Sequence, residues 1–588
     1  MTGLVSTLAT IWRLAIPYFR SEDRKAGRAL LIAVIAIELS LVGINVMLNQ
    51  WYNAFYNALQ NRDWNAFVTQ LAIFCALAAT FILLAVYQLY LNQWLQIRWR
   101  QWMTRTYLGD WLNLANHYRM QLLGDAADNP DQRIAEDIRQ FVELTLNIAV
   151  GLLGALVTLA SFVVILWTLS NAAPLHVFGS VWNIPGYLVW AALVYAVIGT
   201  FLTHLIGWPL VGLNFLQQRY EADFRFNLVR VRENSEQIAL LNGEPAETDR
   251  LLERFGRVVG NWLQIMTRTK RLTFFTEGYS QASVVFPYVV ASPAYFAGAI
   301  QLGGLMQTAS AFNSVQRALS FVINAYRTIA EWRAVIQRLS GFNLAVAAAR
   351  TAAHAPPVIE VSVTADKQAV KLDELAVTLP AGTPLVAADD IVVSPGERVL
   401  LTGPSGSGKS TLFRAIAGIW PFGSGRVLLP KNARLMMLPQ RPYFPLGTLA
   451  AAVAYPAEPG AFDRERLADA VSAVGLPALA QRLDEEGHWN RTLSLGEQQR
   501  LGIARAILQA PDFLFLDEAT ASLDEQSEAA LYRLLQERLP HATIVSIGHR
   551  STLLAFHSRR LALEREGSRY RLRESALQPA AEVSGASP

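Results

Sequence analysis

The sequence predicts an α-helical membrane domain of six transmembrane helices, followed by an α/β domain built around a phosphate-binding loop. Three observations carry this reading. The 588-residue chain is 52% hydrophobic and only 17% charged, too apolar for a water-soluble protein of that length. The apolar excess is confined to roughly the first 330 residues. The remainder alternates short β-rich runs with helical ones, and one of those junctions reads GPSGSGKS.

Residues 1–19 contain Arg13 and Pro17 and no continuous apolar core, so they read as an amphipathic helix on the membrane surface rather than a cleavable signal. Apolar runs long enough to cross the hydrocarbon occur near 29–48, 67–91, 146–169, 186–207, 279–299 and 305–330. Pro287, Pro293 and the Gly303-Gly304 pair interrupt the last two, which membrane helices tolerate.

Loop charges test the count independently. Arg20, Arg24, Lys25 and Arg28 precede the first run; Arg98, Arg100, Arg105, Arg119, Arg133 and Arg139 follow the second; Arg219, Arg225, Arg230, Arg232, Lys270 and Arg271 follow the fourth. The other loops hold Arg62 alone. This bias places both termini and two long loops in the cytoplasm, and it accounts for the net charge of +4. No basic stripe is interleaved with aromatics, so nucleic acid is not an expected partner. Cys75, the single cysteine, lies in an apolar run and excludes an intrachain disulfide or a cysteine-based zinc cluster.

Both long loops keep helical periodicity, and each contains one polar, sign-mixed strip: NPDQRIAEDIRQF at 129–141 and RENSEQIALLNGE at 232–244. On its own such a strip reads as a solvated helix face. The expected organisation is a membrane domain over 1–342, an Ala-rich linker over 343–357, a nucleotide-binding domain over 358–574 and a disordered tail over 575–588.

In the second domain, RVLLTGPSGSGKSTLFRAIAG gives strand, glycine loop and helix in succession. Gly403, Pro404, Ser405, Gly406, Ser407, Gly408, Lys409, Ser410 and Thr411 form a loop whose backbone N–H groups wrap phosphates. Lys409 is placed to reach the β and γ oxygens and Ser410 to offer a hydroxyl to Mg²⁺. Further on, DFLFLDEAT ends an apolar strand in two carboxylates. Asp517 suits the Mg²⁺ shell and Glu518 the polarisation of an attacking water.

Between these lies RTLSLGEQQRLGIARAIL, in which Ser494, Gly496 and Glu497 resemble the signature motif of ABC ATPases. Gln440 in LPQRPY resembles the family's Q-loop and a further Mg²⁺ ligand, ASLDE (521–525) its D-loop, and His549 in SIGHR its switch histidine. The resemblance implies that each ATP is sandwiched between two domains, hence a homodimer with two sites. Two departures stand out: Leu495 and Glu497 replace the signature's usual glycine and glutamine, and Leu379 stands where an adenine-stacking aromatic is usual.

Six spans with two long cytoplasmic loops ahead of one ATPase domain resemble an exporter-type ABC half-transporter, whose loop tips dock on the ATPase domains. NPDQRIAEDI and SEQIALLNGE are placed for that docking. LNQWYNAFYNALQNRDW (48–64), LQIRWRQWMTRTYLGDWL (95–112), NPDQRIAEDIRQF, FRFNLVRVRENSEQIALLNGE (224–244) and PAYFAGAIQLGGLMQTASAF (293–312) look like the SbmA/BacA family of bacterial peptide-uptake proteins, in its fused, ATP-driven BclA-like form. The signature and the second-loop segment are also similar to peroxisomal fatty-acyl half-transporters. The resemblance implies inward movement of cationic antimicrobial or symbiotic peptides, bleomycin-like glycopeptides or other bulky hydrophilic solutes across the bacterial inner membrane, in contact with membrane lipid; a mycobacterial relative of this type is associated with cobalamin uptake.

Glu38 and Glu277 are the candidate cavity charges, each with an interhelical hydrogen bond as the alternative. An exporter of lipids, acyl compounds or drugs is the alternative transporter. An ATP-gated channel or signalling ATPase is a different class, disfavoured by the intact Glu518 and His549.

Overall fold

The computed structural model describes residues 2–124, 129–172, 175–177, 180–182, 184–321, 325–354, 356–364 and 369–576. The chain forms two compact units: Met1–Gly109 with Asn129–Phe342, and Asp110–Asp128 with Asn343–Pro588. The tail at 577–588 lies outside the described residues.

The first unit is helical: α1 (Thr2–Arg20), α2 (Arg24–Gln60), α3 (Trp64–Leu112, reaching into the second unit), then α4 (Asn116–Leu122), which belongs to the second unit. The first unit resumes with α5 (Ile138–Ala172), α6 (Tyr187–Glu233), α7 (Ser235–Leu240), α8 (Glu244–Phe296), α9 (Leu302–Leu319) and α10 (Tyr326–Ala352, which enters the second unit at Asn343). Among the described residues four stretches, Arg24–Gln60, Trp64–Leu122, Pro130–Asn171 and Tyr187–Glu233, are long and apolar enough to cross a membrane. The last two expected spans differ from the pattern. Pro287 and Pro293 sit inside the continuous α8, whereas the run read as 305–330 stops at Leu319. Gln307, Thr308, Ser314, Gln316 and Arg317 dilute the apolarity of α9, which buries the first four inside the unit. The Ala-rich stretch assigned to the linker is helical as far as Ala352.

Apolar packing and a few polar clasps hold this unit together. Phe162 and Leu166 of α5, Leu188 and Ala192 of α6, and Ala311, Phe312 and Val315 of α9 form one buried cluster. Between α2 and α9 the bonds are amides: Asn49 Nδ2 donates to the Gln307 carbonyl at 3.0 Å, Asn53 Nδ2 to Gln307 Oε1 at 2.6 Å, and the Gly303 N–H to Asn57 Oδ1 at 2.8 Å. A Cβ at Gly303 would lie 2.0 Å from the Asn53 carbonyl, so the close approach that permits this ladder needs glycine.

The polar strip at 129–141 is used inside the first unit. Residues Arg133–Asp137 form a π-helical turn, and Asp137, 1% exposed, accepts from Arg133 Nη1 at 2.7 Å. It also takes a bidentate pair from Arg338 of α10, at 2.9 and 2.7 Å. Such a fork fixes geometry as well as energy. The segment held by the second unit is instead α4. Arg119 Nη2 donates to the Gly418 carbonyl at 3.1 Å and Leu122 packs on that unit's β-side core. Before the strip, α3 ends at Leu112, Leu114 and Ala115 turn in the left-handed region at φ 49° and 56°, and the chain re-enters a helix at α4. The other expected docking segment, α7, belongs to the first unit and is exposed at every position but Ile238.

The second unit contains an eleven-stranded sheet. Its strands are β1 (Glu360–Thr364), β2 (Val370–Thr378), β3 (Pro384–Ala388), β4 (Ile391–Val393), β5 (Arg398–Thr402), β6 (Gly423–Pro430), β7 (Leu435–Leu438), β8 (Phe513–Asp517), β9 (Thr543–Ile547), β10 (Arg559–Glu566) and β11 (Arg569–Ser575). The order is β1-β6-β2-β3-β11-β10-β5-β9-β8-β7, with β4 on β2. The run β10-β5-β9-β8-β7 is parallel. Helices α11 (Lys409–Ile416), α12 (Leu495–Gln509) and α13 (Glu525–Arg538) complete the frame used below.

Replacing Asp137 by Ala removes the acceptor of two guanidinium groups in a site that excludes water, and a cost of about 2–3 kcal/mol is expected. Thermal unfolding of the detergent-purified chain should show a lower midpoint for Asp137→Ala and a smaller drop for Asp137→Asn; an unchanged midpoint for Ala would show that the clasp adds nothing.

Candidate functional site

Parallel pairing sets the ends of β5, β9 and β8 level. Asp517 lies opposite Ile547, and Ile547 opposite Leu401. The loops that follow these strands, starting at Gly403, Gly548 and Glu518, therefore leave the same edge of the sheet, where α/β proteins bind ligands.

The first of these loops is shaped by its glycines. Gly406 and Gly408 are left-handed, at φ 75° and 92°. A Cβ at Gly408 would meet Val386 Cγ2 at 2.6 Å, so the tight passage from β5 into α11 admits no side chain there. Ser407 is fully buried and its Oγ has no partner among the described residues, as suits a hydroxyl turned to a phosphate oxygen. Lys409 is buried and its Nζ donates to the carbonyls of Gly403 and Pro404 at 2.8 and 2.9 Å. Burial pushes the ammonium pKa down, while Glu518 and Asp517 pull it back up. Bringing an anion to Lys409 relieves that penalty.

Ser410 Oγ donates to Asp517 Oδ1 at 2.8 Å. Burial raises the Asp517 carboxyl pKa, the Ser410 bond opposes it, and the neighbouring Glu518 raises it further. Two hard oxygen donors this close fit a Mg²⁺ ion, whose charge would offset both carboxylates. Glu518 takes a left-handed φ of 51° while its N–H donates to the Ile547 carbonyl at 3.2 Å. That strained turn swings its carboxylate to His549, with Nε2 and Oε1 3.3 Å apart.

The remaining expected site residues are placed differently. Gln440 is exposed two residues beyond β7, and among the described residues no hydrogen bond joins its side chain to Ser410 or Asp517. Ser494, Gly496 and Glu497 open α12, and no hydrogen bond or ion pair joins them to residues 403–411 among the described residues. Glu497, expected to face the nucleotide, instead closes a capping box. Its Oε2 accepts from the Ser494 N–H at 2.9 Å and from Ser494 Oγ at 2.7 Å, while its own N–H donates to Ser494 Oγ at 3.3 Å. Leu379 is 39% exposed at the β2–β3 turn, where its N–H donates to the Thr383 carbonyl at 2.9 Å.

One residue escaped the sequence reading. Gln499 is 1% exposed on α12, and its Nε2 donates to the Gln440 carbonyl at 3.0 Å and the Glu518 carbonyl at 3.5 Å. Its Oε1 accepts from the Ser522 N–H at 3.0 Å. A single amide thus joins the segments after β7 and β8 to the ASLDE turn. The available signal was a glutamine four residues past Leu495 on the buried side of α12.

Gln499→Ala would remove the hydrogen bonds that a buried amide makes to Gln440, Glu518 and Ser522, for an expected loss of about 1–2 kcal/mol. Unfolding of the purified full-length chain should show a clear drop for Gln499→Ala; equal stability of the variant and wild type would remove the amide from this joining role.

Comparison with known proteins agrees with this geometry. Residues 14–296 match the model described as ABC transporter transmembrane region 2, and residues 388–521 match the ABC transporter model. The inner membrane ABC transporter ATP-binding protein YddA of Escherichia coli is 35% identical over 91% of this chain and 93% of its own. The lysosomal cobalamin transporter ABCD4 of Mus musculus is 25% identical over 96% of this chain and 95% of its own. A bacterial Atm1-family ABC exporter solved with ATP bound superposes with a TM-score of 0.70 at 19% identity, over 92% of this chain and 94% of that one, and shows the same fold. The chain belongs to the ABC transporter family: it is a half-transporter, related to the ABCD type, with membrane and ATP-binding regions fused in one polypeptide and Mg²⁺-dependent ATP hydrolysis coupled to transport.

Proposed function

We propose that the chain works as a homodimer that uses ATP to bring bulky hydrophilic solutes, cationic peptides foremost, inward across a bacterial inner membrane, with its ATPase unit and both termini in the cytoplasm. Glu277 is the observation that carries the choice of solute. It is exposed on α8 at the edge of an apolar run, and among the described residues it has no basic partner. A carboxylate in such a place is costly unless a cavity or cation compensates it. Glu38 drops out of this role: its carboxylate accepts from Gln88 of α3, and Gly154 of α5 leaves the room it occupies, since a Cβ there would lie 2.0 Å from Glu38 Oε1. A relative named as a cobalamin transporter supports a large polar cargo.

For turnover, Lys409 and the loop N–H groups would hold the phosphates, and Ser410 and Asp517, joined by Gln440, would hold Mg²⁺. Glu518 polarises the attacking water and His549 orients it. Ser494 and Gly496 serve the site of the second copy, which is why one chain leaves them apart from its own phosphate loop. The exposed α7 is placed to pass the closing motion to that copy.

Glu518→Gln should keep ATP binding and lower hydrolysis at least a hundredfold, because the phosphate loop is untouched. In a bacterium lacking its own peptide importer, wild type should restore uptake of a labelled Arg-rich peptide, Glu518→Gln should not, and Glu277→Gln should reduce uptake with ATPase intact. Less peptide in expressing cells than in empty-vector cells would favour export of lipids, acyl compounds or drugs; equal uptake by wild type and Glu518→Gln would remove ATP as the driving force.

A further inference from the structure

We propose that the membrane unit carries a resident site for an anionic phospholipid of the cytoplasmic leaflet, in a cleft between α6 and α8. The cleft has a volume of about 480 Å³ and is lined by Pro209, Gly212, Phe215 and Leu216 of α6 and by Gln264 and Arg268 of α8. Its depth follows from helix pairing. The two helices run antiparallel, with Tyr279 against Gly199, Leu272 against Gly207, and Asn261 Nδ2 donating to the Leu213 carbonyl and Gln217 Oε1, both at 2.9 Å. The cleft therefore begins where the apolar run of α6 ends, and Arg268 stands about one helical turn beyond Leu272, the α8 residue level with that end. That is the headgroup level, and the exposed Trp208, 61% accessible, marks it on α6.

The gap has a local cause. Helix α6 passes through Pro209, which cannot donate a backbone hydrogen bond, and Gly212 has nothing within 4 Å of where a Cβ would stand. Apolar walls thus open beside a basic rim. Arg268 has no carboxylate partner among the described residues, and Lys270 and Arg271 follow it closely on α8. No acidic residue occurs in 187–220 of α6 or in 254–276 of α8. Unpaired positive charge over an apolar cleft at this depth complements a phosphate headgroup above acyl chains.

The test titrates purified wild-type protein in neutral detergent with phosphatidylglycerol or phosphatidylcholine and counts retained lipid by native mass spectrometry. Phosphatidylglycerol should be preferred. Arg268→Ala should weaken its retention about fivefold, the change that corresponds to about 1 kcal/mol for one basic residue at the headgroup level, and Arg268→Lys should recover much of it. Gly212→Leu, which fills open space without strain, should lower retention of both lipids. Equal retention of the two lipids by wild type would overturn the proposal, as would full phosphatidylglycerol retention by Arg268→Ala. Displacement by glycerol phosphate at equal concentration would assign the cleft to a soluble anion and overturn it too. So would disulfide crosslinking between copies through Gly212→Cys in a Cys75→Ala background, which would give this face to the second subunit.

Discussion

The register of three parallel strands is the constraint on which the catalytic end of the molecule depends. With Leu401, Ile547 and Asp517 level across β5, β9 and β8, the phosphate loop, the His549 loop and the Asp517-Glu518 pair must emerge together. A one-residue slip in any of these pairings would turn the side chains at the strand ends to the opposite face. Local chemistry then does the finer placing: glycine at 408 lets the loop pass Val386, the Ser410–Asp517 bond joins helix to strand, and the left-handed turn at Glu518 aims its carboxylate at His549. Gln499 fastens the loop ends from behind.

The membrane unit solves a different problem with similar means. Apolar side chains gain little from leaving lipid for a helix interface, so hydrogen bonds between helices and small residues at the contacts decide which helices meet. Asn49, Asn53 and Asn57 clasp α9 to α2, Glu38 and Gln88 join α2 to α3, and Gly154 makes room for that pair. Outside the apolar region, the buried Asp137 joins the π-helical turn before α5 to α10 through two guanidinium groups. Polar residues that look expensive in an apolar sequence are thus used as fasteners.

Features whose chemistry lies in contiguous residues were legible in the sequence. The phosphate loop, the Asp517-Glu518 strand end and the first four apolar runs each carry their physical signal within a short stretch. Features that depend on a distant partner were not. The role of Glu38 needs Gln88, Asp137 needs Arg338, and Gln499 needs Gln440 and Ser522. The position of α4 was hidden for another reason: Leu114 and Ala115 make the left-handed turn after α3 without the glycine or proline that usually marks one. The helix start at Ser494 could have been read from the sequence, since Ser-x-x-Glu is a capping pattern.

The central claim is that one chain brings together the phosphate loop, Asp517, Glu518 and His549, while Ser494 and Gly496 complete the site of a second copy. Co-purified mixed dimers test it most directly, with Lys409→Ala in one chain and Gly496→Asp in the other. In such a dimer both lesions fall in one composite site and the other site is intact, so ATPase activity should reach up to about half of wild type, although either parental homodimer is inactive. If each chain builds its site alone, the mixed dimer will be as inactive as its parents, and the account fails.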